Sequence, residues 1–162
     1  MFELPELINL TNQVNRTLKG KVIAEGRLGN SPHKFVWYNR TPEEFTRLTH
    51  RKIVGETRSK GRWMFVPVEP GYVLLLGEFG GKMFFHPPGA KIPEKYHLFL
   101  TFEDGSSLTI MTAMWGAMEL FEAGKEQERQ YVKGMRMTPV DPGFTFDYFS
   151  VLIDDLLKGE KR

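Results

Sequence analysis

The first six residues, Met1-Phe2-Glu3-Leu4-Pro5-Glu6, place a carboxylate two positions from a free α-amine. An α-amino group titrates near ~7.7–8.0, so a sizeable fraction is neutral at physiological pH, and a neutral amine attacks a carbonyl carbon to give a Schiff base. Glu3 is close enough along the chain to shuttle the protons that this chemistry requires. The same residues have a plainer reading. Glu3 and Glu6 in a first helical turn complement the helix dipole and cap its amides, and the tetrapeptide taken alone favours that role.

A second group of reactive side chains is the run Arg58-Ser59-Lys60-Gly61-Arg62, with cations at alternate positions of an expected hairpin tip. Side-chain alternation breaks down in a tight turn, so Arg58, Lys60 and Arg62 can all face one anionic ligand, and each phosphate contact adds salt-dependent affinity. On charge alone a solvated turn is the simpler reading. Gly77-Glu78-Phe79-Gly80-Gly81-Lys82 lacks the Gly-Lys-Ser/Thr ending and the following helix of a phosphate-binding loop, and reads as a hairpin. His33, His50, His86 and His97 show no metal-ligand spacing, so no metal site is expected. The absence of cysteine excludes disulfides, thiolate nucleophiles and cysteine-ligated zinc within these residues. Met111, Met114 and Met118 read as core filler, and there is no Gly-x-Ser-x-Gly elbow.

These groups must be carried by a framework. With 162 residues, 41% apolar and 13% aromatic, the chain can bury one substantial core and reads as a single domain plus an appendage. A net charge of +2 gives no global electrostatic reason to expect nucleic acid, so any basic surface must be local. The N-terminus lacks a basic-then-apolar leader and no stretch reaches the ~18 apolar residues of a membrane span, which predicts a cytoplasmic protein with no membrane partner.

Leu7, Leu10, Val14 and Leu18 recur at helical spacing after Pro5 and before Gly20, predicting an N-terminal helix. Thr41-Pro42-Glu43-Glu44 is a capping box for a short second helix ending near His50. Residues 21–24, 34–38, 52–57, 63–67, 72–76, 82–86, 96–102 and 108–114 read as strands separated by turn residues. The fold class is mainly β with α: an eight-stranded antiparallel sandwich, or a closed barrel, with helices attached. After Phe121 the chain is polar and loop-like over 122–129, then passes Pro139-Val140-Asp141-Pro142 into an amphipathic C-terminal helix carrying Phe146, Phe149, Leu152, Ile153 and Leu156. Little chain remains to bury that face. A continuing domain, docking on the sandwich, or association with a partner or second copy would each cover it.

The order and spacing of Glu3-Leu4-Pro5-Glu6, the basic Arg58-Ser59-Lys60, Leu76-Gly77-x-x-Gly80, and Pro93-Glu94-Lys95-x-His97 before a final strand pair resemble the formamidopyrimidine-DNA glycosylase and endonuclease VIII family. The resemblance covers about residues 1–125, with 147–157 resembling the start of the helical domain that follows. It implies a sandwich domain over 1–125, a linker over 126–142, and over 143–162 the beginning of a helix-two-turns-helix domain that in the family ends in a zinc finger. It further implies base-excision repair: removal of oxidised bases and cleavage of abasic sites through a Schiff base between an N-terminal amine and C1′ of a flipped-out nucleotide. Glu3 then matches the proton-moving carboxylate, Glu6 a supporting carboxylate, and Lys60 a hairpin lysine that contacts phosphate and assists the lesion chemistry.

This chain departs from the pattern at named places. Phe2 stands where the family exposes its nucleophilic proline, and with Met1 retained the amine moves out by ~3.5 Å of chain. Glu78 stands where a gap-filling methionine is expected, and Ala113-Met114-Trp115-Gly116 replaces an arginine pair before Phe-Gly, leaving Trp115 as a wedge without the cation. No cofactor is expected in these residues, because they contain no cysteine-ligated finger. The implied partner is damaged double-stranded DNA, held weakly by few phosphate contacts. The alternative is a catalytically inactive DNA- or protein-binding module that keeps the fold.

Overall fold

The computed structural model describes residues 2–78 and 80–159. Helix α1 spans Leu4–Leu18, with a proline in its first turn and Glu3 as N-cap, and buries Leu7, Thr11, Val14 and Leu18 along one stripe. Gly20, at φ +85°, ends it in a conformation that a side chain rarely adopts. Helix α2, Pro42–Thr49, is fixed by the predicted capping box: Glu44 N–H donates to Thr41 Oγ1 at 3.2 Å, and Thr41 N–H donates to Glu44 Oε2 at 3.0 Å. Its Phe45 is fully buried.

The strands correct the expected eight, all antiparallel. Among the described residues there are ten strands in two sheets. One sheet orders β1 (Ile23–Leu28), β8 (Leu98–Phe102), β9 (Ser107–Thr112) and β7 (Gly81–His86). The other orders β2 (Val36–Trp37), β10 (Gly116–Glu122), β6 (Tyr72–Gly77), β5 (Trp63–Glu69) and β3 (Ile53–Val54), with β4 (Arg58–Lys60) also on β5. The β10–β2 pairing is parallel.

The two added strands, β10 and β4, each have their own cause. In β10 the residues are buried on both faces of the sheet, so Gly116-Ala117-Met118-Glu119 shows no alternation, while β4 is three residues long and lies inside the basic run. Burial on both sides is visible in β5 and β6. Met64, Val66, Leu74 and Leu76 enter the main core with Leu98, Leu100 and Ile110 of the other sheet and the buried faces of α1 and α2. Trp63, Phe65, Val73 and Leu75 face outward into a second apolar cluster.

Part of the stretch read as a polar loop covers that outer face. Residues Lys125–Glu128 form a 3-10 turn and Gln130–Lys133 a short helix, α3. Glu126 is buried and accepts from Gly124 N–H at 2.7 Å, and Val132 packs into the second cluster with Met135 against it. The C-terminal helix α4, Phe146–Gly159, forms where periodicity placed it, but it does not dock on the sandwich: none of its residues is buried, and Phe146 is 80% exposed. No helix among the described residues is long and apolar enough to cross a membrane.

The scattered histidines acquire a packing role. His97 is 2% exposed, accepts Thr112 N–H on Nδ1 at 2.8 Å, and meets the His33 ring edge-on at 5.1 Å. Burial, with the nearby His33, holds its pKa below the usual 6.5, and burial does the same to His86, whose Nε2 lies 2.7 Å from Thr109 Oγ1. A histidine whose folded pKa is depressed takes up protons more readily when unfolded, so its neutral form supports the fold above about pH 6.5 and that support is lost as pH falls below it. Thermal melts between pH 7 and pH 5 should show a falling Tm. His97→Asn offers a carbonyl near the place of Nδ1 and should flatten that dependence, whereas His97→Ala leaves the Thr112 amide unpaired and should cost about 1–3 kcal/mol at pH 7. An unchanged pH slope in His97→Asn would remove His97 from this role.

Candidate functional site

The N-terminus of α1 is built by its own first residues. Glu3 adopts an extended conformation as N-cap, and Glu3 and Glu6 form a capping box in which Glu3 N–H donates to Glu6 Oε2 at 2.8 Å. Both acidic residues are exposed. The capping role and the chemical role are therefore compatible: Glu6 fixes the backbone at Glu3 while the Glu3 carboxylate stays accessible at the positive end of the helix. Phe2 is half-buried and packs against the main core, which anchors the chain as it enters α1. Met1, whose amine is the candidate nucleophile, lies outside the described residues.

The basic run forms a β4–β5 hairpin with Lys60 paired to Trp63 across a turn in which Gly61 takes φ +55°. The three cations do not act alike. The Arg58 guanidinium lies 5.3 Å over the Phe65 ring, and Arg62 is in the turn. Lys60 instead lines a crevice of about 200 Å³ with Leu4 and Ile8 of α1 and with Thr138, Val140 and Asp141. Lys60 is thus brought beside the residue that follows Glu3.

A side chain 42 positions away from the residue that precedes β4 holds this arrangement. Asn15 of α1 donates from Nδ2 to Thr57 O at 2.8 Å and accepts Thr57 N–H on Oδ1 at 2.7 Å, tying the helix to the residue before β4. Asn15→Ala leaves both Thr57 backbone groups unpaired in a buried position and should cost about 1–3 kcal/mol, read by denaturant unfolding. A loss under ~0.5 kcal/mol would mean that other contacts set the hairpin's position.

Asp141 was not singled out by sequence reasoning, because it falls in a connection with no periodicity. It accepts from Thr138 N–H at 2.5 Å and Thr138 Oγ1 at 2.9 Å. Those bonds, and secondarily the Lys60 charge, hold its carboxyl below the usual range.

Glu78 and Trp115, the other two predicted contacts, do not line the Lys60 crevice. They meet across a separate cavity of about 530 Å³ that also contains Trp37, Trp63, Arg129 and Tyr131. The hairpin joins the two places, since Glu78 N–H donates to Arg62 O at 3.1 Å. Glu78 is held at φ +48°. Arg129 and Tyr131 come from the polar stretch after β10 and carried no motif; only their packing on Trp63 reveals them. No group of three or more metal-ligating side chains is found among the described residues.

A profile of the formamidopyrimidine-DNA glycosylase N-terminal domain matches residues 1–134. The formamidopyrimidine-DNA glycosylase of Exiguobacterium sibiricum is 23% identical over 162 residues, covering 99% of this chain and 56% of that protein. The structure of MutM in complex with DNA containing carbocyclic 8-oxo-G is similar with a TM-score of 0.65 and 18% identity, over 76% of this chain and 45% of that one. Lactococcus lactis Fpg in complex with abasic-site DNA gives a TM-score of 0.66 and 17% identity, over 78% and 46%. The chain spans about half the length of these relatives.

Proposed function

The chain belongs to the formamidopyrimidine-DNA glycosylase family through its N-terminal domain, and from this we propose that it is the amino-terminal half of a base-excision-repair glycosylase and abasic-site lyase acting on oxidised bases. The observation that carries the reading is the crevice that sets Lys60 beside the first turn of α1. On this reading the terminal amine, the Glu3 carboxylate and the Lys60 ammonium serve one reaction, with Lys60 beside the first turn of the helix that Glu3 caps. The terminal amine adds to C1′ of the ring-opened sugar at an abasic site. Glu3 delivers the proton with which the carbinolamine oxygen leaves as water, giving the iminium, and loss of a C2′ proton then expels the 3′ phosphate. Lys60 holds the neighbouring phosphate. The α4 face is read as the first helix of a helical domain contributed by the additional length that the relatives have.

Borohydride reduction of this chain on abasic-site DNA, followed by intact mass and peptide mapping, tests the proposal. A covalent adduct on the N-terminal amine is expected. A second reading, a binding module that has kept the fold and lost the nucleophile, draws on Phe2, whose ring packs against the core where the family pattern has proline. Absence of an adduct, with DNA binding retained, would establish that second reading. Independently of turnover, Lys60→Ala should weaken DNA binding about tenfold across sequences and reduce the salt slope by about one, measured by anisotropy at several salt concentrations. An unchanged slope would remove Lys60 from the phosphate contacts.

A further inference from the structure

All three tryptophans of the chain, Trp37, Trp63 and Trp115, line the 530 Å³ cavity beside the second apolar cluster. Its floor is a row across three strands, Trp63 on β5, Gly77 on β6 and Ala117 on β10. The Trp63 indole lies so close over Gly77 that a Cβ there would fall 1.9 Å from the ring.

This floor already holds one organic cation. The Arg129 guanidinium sits 4.4 Å from the Trp63 ring centroid and 5.4 Å from that of Tyr131, and Glu119 pairs with its Nε. Beyond Arg129 the cavity is open. Trp37 and Trp115 remain 51% and 40% exposed, and Glu78 contributes a half-buried carboxylate with no ion-pair partner among the described residues. Two carboxylates against one guanidinium leave the lining with a net charge of −1 over these groups. Aromatic faces add the negative side of their quadrupoles. Such a surface repels a phosphate chain and attracts a large, weakly hydrated cation, whose desolvation is cheap and whose charge can meet Glu78 while its alkyl or planar surface meets indole.

We propose that this cavity binds an alkylated ammonium or a guanidinium group between Trp37, Trp115 and Glu78, either as a free organic cation or as a basic side chain of a protein partner. The inference does not depend on the enzymatic reading, and its test uses no DNA.

Because all three fluorophores line the site, tryptophan emission reports on it directly. The whole chain is titrated with tetramethylammonium and with methylguanidinium at constant ionic strength, with tert-butyl alcohol and thymidine as neutral counterparts. A saturable change in the millimolar range is expected for the cations. Glu78→Gln, Trp37→Ala and Trp115→Ala should each weaken it about tenfold, with thermal melts confirming that these exposed or half-buried positions leave the fold intact. A trimethyllysine peptide binding more than tenfold tighter than tetramethylammonium identifies a partner side chain; equal affinity identifies a free cation. No saturable response, equal binding of a neutral counterpart, or binding untouched by Glu78→Gln overturns the proposal, and a preference for thymidine would make the cavity a base-stacking site instead.

Discussion

Glu3→Gln should lower the rate of borohydride-trapped adduct formation on abasic-site DNA by about 10²–10⁴-fold, the usual contribution of a positioned acid–base group. The substitution separates the two roles that this residue can have. In the capping box the Glu3 backbone N–H is held by Glu6 Oε2, and that bond survives a change in the Glu3 side chain. Glutamine keeps an acceptor oxygen for the helix amides and loses only the titrating proton, so helix α1 should form as before with at most a few tenths of a kcal/mol lost from the helix-dipole interaction. Far-ultraviolet circular dichroism and a Tm within a degree or two of the parent would confirm this. Undiminished trapping in a folded Glu3→Gln chain would show that the carboxylate only caps the helix. The complementary change, Glu6→Ala, removes the acceptor for Glu3 N–H and should cost about 0.5–2 kcal/mol of stability.

Gly77→Ala should destabilise the chain by about 3 kcal/mol, at the upper end of the ordinary overpacking range, and lower Tm by about 6–12 °C. The reason is close approach rather than backbone freedom. The nearest atoms to an added Cβ are three ring carbons of Trp63 at 1.9–2.2 Å, and that indole is itself buried between the sheet and Arg129. It cannot retreat without giving up the guanidinium contact and the packing of the second cluster. Trp63→Leu in the Gly77→Ala background should recover part of the loss, making the pair strongly non-additive. A Gly77→Ala chain with parental Tm would mean that the ring moves freely, and would argue equally against a rigid cavity floor.

The local features were legible from residue types and spacing. Thr41-Pro42-Glu43-Glu44 announces α2 because a capping box needs only its own four residues, and the stripe from Leu7 to Leu18 announces α1 because one face of that helix is buried and the other is wet. Strand β10 was hidden by the opposite circumstance. Both faces of its sheet are covered, so apolar and small residues run together without a period, and the covering segment at 125–135 is itself polar in composition. The described residues hold ten strands where eight were expected, one of them parallel to its neighbour, for this reason and because three-residue β4 sits inside a run that reads as a turn.

For the candidate site the division is the same. Sequence alone named the candidate groups: the acidic first turn of α1, the cation at Lys60, the ring at Trp115, and Glu78 as a departure from the family pattern. Only the tertiary structure decided which of them meet. Lys60 reaches α1 through an Asn15 side chain paired with Thr57, while Glu78 and Trp115 are drawn to a different cavity by the Trp63–Gly77–Ala117 row and by Arg129 arriving from beyond β10. Caps and amphipathic stripes are encoded within a few residues. Sheet registers and cavity walls arise from contacts between segments far apart in the chain, and those are fixed when the whole core packs.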